Sequence, residues 1–559
     1  MSRAGVGPLA RLAFRRDRVA LPACVYVIVI MLFVNAYEFK KLYPTAAGRR
    51  SLAASSESNP ALRFLYGRLD GSSLGSITVW RIAVWAALFA ALATIFLVIR
   101  HSRADEEAGR LELVGSAAVG RQAPLVAALT VAATTMLLVV VLLCLVLPLA
   151  GLPAGGSALV ALSIGACGLA FAGIAAATAQ LTTGARAARG IALAVLGAAF
   201  VLRGSGDAGT AWLTWTSPLG WVELARPFGA ARWWVLCLPL AVGGCGVFAA
   251  FWLAARRDLG AGLFPDRPGR PIASAALRGP SGLAWRLQRG TLFGWLAGYA
   301  AMFAISGAAA QGIGQLVGSS SGLRSEFTRL GGQSGIVNAY LSALMLLAGV
   351  IGDAYAVSAV LRLRSEETDG RAEPVLATVV GRVRWALSHV LVAVAGTVLL
   401  LAVAGVATGL GYGLRGSVPV GPEVATMLGA ALSQLPAVLV IAGVTILAFG
   451  LMPRWSVPAG WTIVGAVVAV QLFGPVVRLS HWVLDVSPFA HVPRLPGGTV
   501  PAWPLVWPLF GPLLGPLLGS VSWPWRCRWP AWAPCAAGTS AEVAAATSQS
   551  CRGGGIKLV

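Results

Sequence analysis

Two segments of this chain, 123–150 and 390–410, carry no acidic or basic side chain. Each is as long as the ~20 apolar residues that take a helix across a bilayer. No other feature restricts the fold as much. Hydrocarbon offers no partner to backbone N–H and C=O groups, so such runs must be helical and close their hydrogen bonds internally. Charged residues make up only 11% of the sequence, against ~25% in soluble domains, whose surfaces must be solvated. Most of the surface therefore faces something other than water.

Apolar runs of this kind fall at 19–37, 79–99, 123–149, 156–180, 190–204 and 233–254, then beyond a basic stretch at 291–310, 338–361, 385–410, 424–450, 458–478 and 502–522. They predict an all-α integral membrane protein of about twelve transmembrane helices. Run 190–204 is short, and run 502–522 is broken by Pro504, Pro508 and Pro512. The first run follows Arg11, Arg15, Arg16 and Arg18. It is long for a signal-peptide core and lacks a clean small-residue cleavage site, so it reads as an uncleaved first helix with a cytoplasmic N-terminus. That orientation puts most arginine groups between spans on the cytoplasmic side. Lys40, Lys41 and their basic neighbours then lie in a long external loop, which weighs less in the rule. The Arg-, Ala- and Gly-rich composition points to a bacterial plasma membrane.

The net charge of +22 raises the question of nucleic acid. The arginines lie between apolar spans rather than along one stripe, however, and anionic membrane lipids account for them. The eight cysteines show no CxxC or Cys/His spacing and read as small packing residues. A phosphate-binding loop needs Gly-x-x-x-x-Gly-Lys-Ser/Thr, and none of Lys40, Lys41 and Lys557 follows such a pattern. Any nucleotide hydrolysis must therefore come from a partner. No motif of a metal centre or hydrolytic nucleophile appears either, so the chain reads as a non-enzyme with no bound cofactor.

The most informative feature is a repeat. Arg103-Ala-Asp-Glu106-Glu-Ala-Gly109-Arg110-Leu-Glu112, ending in Val119-Gly120-Arg121, aligns without a gap onto Arg364-Ser-Glu-Glu367-Thr-Asp-Gly370-Arg371-Ala-Glu373, ending in Val380-Gly381-Arg382. Each copy follows the second run of its half, so the chain reads as two tandem, parallel six-helix halves. The organisation is a first half at 1–260, a linker leading into the seventh helix at 261–290, a second half at 291–522 and an atypical, disordered tail at 523–559. As a helix, each repeated segment would pair Glu106 with Arg110 and Glu367 with Arg371 at i,i+4. It would also present an apolar face able to lie on the membrane or dock into a partner, the alternative being a solvated loop whose charges merely fix topology.

Several polar positions remain open to two readings. Asp353 either lines a substrate path, where a carboxylate is costly unless paired or near water, or lies at the outer surface if the span begins later. Gln180 and Gln434 suit bridges between helices, and Gly290, Gly294 and Gly298 suit a close helix crossing. Trp212, Trp215, Trp221, Trp233 and Trp234, with Glu223 and Arg226, form either an interfacial aromatic belt or an exit vestibule.

The stretches 103–121, 215–228 (WTSPLGWVELARPF), 256–270 (RRDLGAGLFPDRPGR), 283–290 (LAWRLQRG) and 352–382 (GDAYAVSAVLRLRSEETDGRAEPVLATVVGR) resemble the bacterial ABC-2-type permeases that export polyketide antibiotics. With the order of the spans, the resemblance covers the chain to about residue 505. It implies an export pump for a hydrophobic small molecule, with ATP hydrolysed by a separate ABC ATPase, two copies of which would bind. It also implies that Arg103, Glu106, Gly109, Arg110 and Glu112, with Arg364, Glu367, Gly370, Arg371 and Glu373, face that ATPase. The Trp- and Pro-rich residues from 523 depart from the family pattern, as an altered reading frame would. The rival readings are an ion-coupled secondary transporter, for which Asp353 is almost the sole coupling candidate, and a membrane scaffold or sensor.

Overall fold

The computed structural model describes residues 5–57, 60–115, 119–258, 260–264, 279–318, 332–414, 419–477 and 480–496. Every regular element among them is a helix. Ten helices are long and apolar enough to span a membrane: Ala20–Leu42, Leu74–Glu107, Ala123–Leu149, Ala154–Leu181, Ala185–Ala208, Trp233–Arg256, Pro280–Ala310, Val337–Thr368, Arg382–Gly413 and Val420–Leu451. They are called spans 1 to 10 below. The expected run 458–478 falls on helix Ser456–Val477, whose described apolar part, Ser456–Gln471, is shorter than a span. The expected run 502–522 and the tail at 523–559 lie outside the described residues, as does 265–278 of the linker.

Local chemistry sets the helix ends. Ser73 caps span 2 by accepting a hydrogen bond from the Ser76 amide at 3.0 Å, which satisfies one of the donors a helix start leaves free. Span 10 is divided at Ser433–Gln434 into Val420–Leu432 and Leu435–Leu451. Pro436 cannot donate to the helix there, which accounts for the break. Span 5 covers Ala185–Ala208 and is longer than the expected 190–204.

Spans 2, 4 and 8 are the inner helices, with 61%, 78% and 72% of their apolar windows buried, whereas span 6 is only 22% buried. Phe96, Leu145, Phe248 and Phe293 stand on the outside. So apolar an exterior on long helices is the surface a membrane protein presents to lipid.

Close crossings are made at glycines. A Cβ on Gly405 or Gly409 of span 9 would stand 2.6 Å from the backbone of span 10, at Leu428 and Val424. One on Gly411 would overlap the Ala304 carbonyl of span 7. Without a hydrophobic drive between helices in lipid, such backbone approach supplies the packing. The expected crossing at Gly290, Gly294 and Gly298 is not one, since nothing lies within 4 Å of a Cβ there. The pattern is present, but it faces outward. Gly411→Leu is accordingly expected to lower stability by about 2–3 kcal/mol through overpacking, seen as a lower melting temperature in detergent. Gly298→Leu should change it by less than about 0.5 kcal/mol.

Candidate functional site: paired elbows at one end of the bundle

Neither repeated segment forms the single amphipathic helix expected of it. Span 2 ends in the short helix Arg103–Glu107, which turns at Gly109, φ +70°, into a second, Arg110–Gly115. Span 8 likewise ends in Arg362–Thr368, which turns at Gly370, φ +68°, into Glu373–Leu376. Only glycine adopts that left-handed geometry without strain, and it ends the first helix of each pair. The aligned glycines therefore build the same elbow twice.

The bend rewires the ion pairs. Glu106 does not meet Arg110. It takes both guanidinium nitrogens of Arg257, at 2.6 and 2.7 Å, and the Gly260 amide at 2.8 Å. Arg103, 1% exposed, pairs with Glu106 at 2.9 Å. It also donates to the carbonyls of Thr183, Ala261 and Gly260 at 2.9, 3.2 and 3.1 Å. Arg257 Nε donates to Gln180 Oε1 at 2.7 Å, so Gln180 does bridge elements as expected. Glu107 accepts from the first amide of span 5, Ala185, at 2.9 Å. The first elbow thus fastens the ends of spans 2, 4 and 6 and the start of span 5. A bidentate, charge-assisted pair of this kind is among the stronger polar contacts. Arg110 instead reaches Asp105 at 2.6 Å.

The second elbow is tied differently. Glu366, rather than Glu367, receives Arg362 at 2.7 Å and Arg371 at 3.1 Å, while Arg364 and Glu367 meet only at 3.5 Å. Arg371 also contacts Asp369. Among the described residues these polar contacts stay within the elbow. Leu363 and Ala372 bury against Trp385, with Phe449 from the end of span 10 packed on the same cluster. On both elbows one face is outward: Arg110, Glu112, Asp369, Arg371 and Glu373 are exposed. Val379, beside the second, is 99% exposed.

The same end of the bundle carries a helix at Val6–Arg16, formed by residues expected only as a basic lead-in. Arg16 pairs with Asp105 at 2.7 Å. Asp17, 1% exposed, holds His101 at 2.6 Å and Arg100 at 2.9 Å.

A polar cluster missed in the sequence lies at the other end. Arg203, fully buried, reaches Glu223 at 2.8 Å and Asp207 at 3.6 Å, and donates to the Phe64 carbonyl at 2.6 Å. Burial pushes the Glu223 carboxyl well above the ordinary range, against the pull of Arg203. The readable signal is the i,i+4 spacing of Arg203 and Asp207, hidden because the charges look like a span boundary. Glu223 belongs to this cluster and also lines a small cleft with Arg68, Asp70 and Arg226. Of the expected tryptophans, Trp221 is buried and donates to the Trp215 carbonyl at 2.6 Å, Trp215 stacks on Trp234 at 5.8 Å, and Trp212 stays exposed. Arg226 pairs with Asp70 at 2.9 Å.

Asp353 lies inside span 8 with 0% exposure, so the outer-surface alternative is set aside. Neither of its oxygens has a hydrogen-bond partner, and Gln434 Oε1 has none either, so the expected bridge at Gln434 is not made by that oxygen. Among the described residues no group of three or more His, Cys, Asp or Glu could hold a metal ion.

Ten apolar spans with a lipid-type exterior, and polar networks gathered at the two ends, define a multi-pass helical membrane protein. Residues 277–521 match the family described as "Multidrug efflux system permease Rv1217c, C-terminal domain". The chain is 40% identical over 499 residues to "Multidrug efflux system permease protein Rv1217c" of Mycobacterium tuberculosis (strain ATCC 25618 / H37Rv), covering 89% of this chain and 90% of the relative. The chain belongs to this family of multidrug efflux permeases.

Proposed function

We propose that this permease is the transmembrane unit of an ATP-driven exporter of the ABC-2 type. It would work in a bacterial plasma membrane with its N-terminus in the cytoplasm and comprise two six-helix halves. ATP is hydrolysed by a separate ABC ATPase, two copies of which seat on the elbows from the cytoplasmic side. The transported compound is hydrophobic, of the polyketide-antibiotic kind. The observation that carries this reading is the exposed outer face of both elbows, at Arg110 and Glu112 and at Arg371 and Glu373, with Val379 standing free beside the second. A charged rim around an isolated exposed apolar side chain suits a partner's groove. The absence of a phosphate-binding loop from the sequence agrees with a separate engine.

Glu106 is committed to Arg257 and Arg103, so reversing its charge would disturb the permease itself. Glu112 and Glu373 are exposed and give the cleaner test. The double variant Glu112→Lys/Glu373→Lys is expected to keep its melting temperature while losing co-purification with the ATPase encoded beside it. ATP hydrolysis in liposomes should fall about tenfold or more, a change of ~1.4 kcal/mol in coupling. An unchanged complex and rate would remove the elbows from the interface. The second reading, an ion-coupled transporter, rests on Asp353, an intramembrane carboxylate with no partner. It expects efflux that follows an ion gradient and needs no ATPase.

A further inference from the structure

Spans 1 and 2 pack side by side but leave an open groove of about 410 Å³ between them. Ala20, Ala23 and Val27 line it from span 1, and Phe89, Ala93 and Phe96 from span 2. The small side chains keep it open, and the exposed rings of Phe89 and Phe96 flank it. Its lining from Phe89 to Arg100 extends about 16 Å along span 2. Such a trough, long and apolar between two helices, has the shape of a hydrocarbon chain.

One end of the groove is charged. Asp17 closes it together with Arg100, its ion-pair partner at 2.9 Å. Asp17 also holds His101 at 2.6 Å, so its charge is answered within the protein. Beside this end, helix Val6–Arg16 and the turn after it line an open hollow with Arg11, Phe14, Arg15 and Arg18. The three arginines are exposed. Among the described residues none of them enters an ion pair, whereas Arg16 on the same helix is bound to Asp105. Like charges four apart on a helix repel, so Arg11 and Arg15 are better placed with an anion between them than without one. Leu12 and Val19 stand exposed among these arginines, the mixture that a helix lying at headgroup level presents to a membrane.

The two features adjoin. Asp17 lines the groove, and Arg18, the next residue, lines the hollow. Phe14 of the hollow packs on the cluster of Ala13, Leu21, Leu97 and Val131, and Leu97 lines the groove as well. An apolar trough along two spans therefore ends where three unpaired guanidinium groups begin.

We propose that groove and hollow together bind one anionic phospholipid, with an acyl chain along spans 1 and 2 and the phosphate among Arg11, Arg15 and Arg18. A guanidinium offers paired N–H groups that match phosphate oxygens. The chain alone gives little selectivity, because hydrocarbon in the groove and hydrocarbon in the bilayer are alike. The charged end distinguishes this lipid from a zwitterionic one. The bound molecule ties helix Val6–Arg16 to the first two spans, whichever energy source drives efflux.

The test uses delipidated full-length protein in detergent, with bound lipid counted by native mass spectrometry. Dioleoyl phosphatidylglycerol is expected to occupy a single site about tenfold or more tighter than dioleoyl phosphatidylcholine, which has the same chains. Glycerol 3-phosphate, the charge without the chains, should bind more weakly than phosphatidylglycerol by about tenfold or more. The triple variant Arg11→Gln/Arg15→Gln/Arg18→Gln should bring phosphatidylglycerol down to the level of phosphatidylcholine without lowering the melting temperature. Ala23→Trp fills the groove from an exposed position and should weaken phosphatidylglycerol by about tenfold with every arginine intact. Equal affinity for the two lipids, or full phosphatidylglycerol affinity in either variant, would overturn the inference and leave only the ordinary lipid shell at this face. Glycerol 3-phosphate binding as tightly as the lipid would overturn it in favour of a site for free phosphate.

Discussion

Arg203→Leu should be among the most damaging single substitutions in the first half, with an expected loss of about 3–5 kcal/mol. The guanidinium is fully buried between Glu223 and Asp207. It also satisfies the carbonyls of Phe64 and Leu65 at 2.6 and 3.3 Å and lies over the Phe200 ring at 4.9 Å. Leucine would leave two acids facing each other without the cation held between them, with Arg68 acting only on Asp207. Their response to pH has a definite sign. Glu223 already titrates above the ordinary carboxylate range because of burial, so the folded state holds its proton more tightly than the unfolded one. Such a group favours folding more as pH falls and less as pH rises through its folded-state pKa. Removing Arg203 takes away the pull that opposes burial and widens that window upward. The variant should therefore be closer to wild type in mildly acid buffer than at neutral pH, and adding Glu223→Gln should recover part of the loss. Chemical denaturation in detergent at the two pH values measures both effects.

The second large effect separates two residues that alignment treats as equivalents. Arg103→Leu is expected to cost about 3 kcal/mol or more, because three carbonyls and part of the Glu106 charge lose their donor at once. Arg364→Leu should cost less than about 1 kcal/mol, since Arg364 is partly exposed and its 3.5 Å contact with Glu367 is a weak, solvent-screened pair. Thermal melts of the two variants side by side decide this. Equal losses would mean that the tight fastening of the first elbow does not carry stability.

The spans are legible in the sequence because a run of uncharged residues long enough to cross a bilayer has few alternatives to a helix. That reading stops short at span 5, where Arg203 and Asp207 look like a boundary but lie inside the helix 3.6 Å apart, with Arg203 bound to Glu223 and Asp207 to Thr214. The positions of the elbows are legible from the repeat, and their pairing is not. Glu106 finds Arg257 from 151 residues away, a distance along the chain that i,i+4 reasoning cannot reach. Gly109 and Gly370 carry a usable signal, since a glycine inside a charged helical pattern often marks its end. Gly290, Gly294 and Gly298 mislead because spacing identifies a face without saying what that face meets. For Asp353 the sequence leaves two placements, and only the course of span 8 separates them.

The elbows are alike in backbone but unlike in stiffness. The first is riveted by Arg103, Glu106 and Arg257 to the ends of three spans, so a push on it is delivered to the first half as a whole. The second is braced mainly against itself and one apolar cluster, and the same push there is taken up first as flexing about Gly370. An engine pressing equally on both would drive a lopsided stroke, one half swinging as a block while the other yields at its joint.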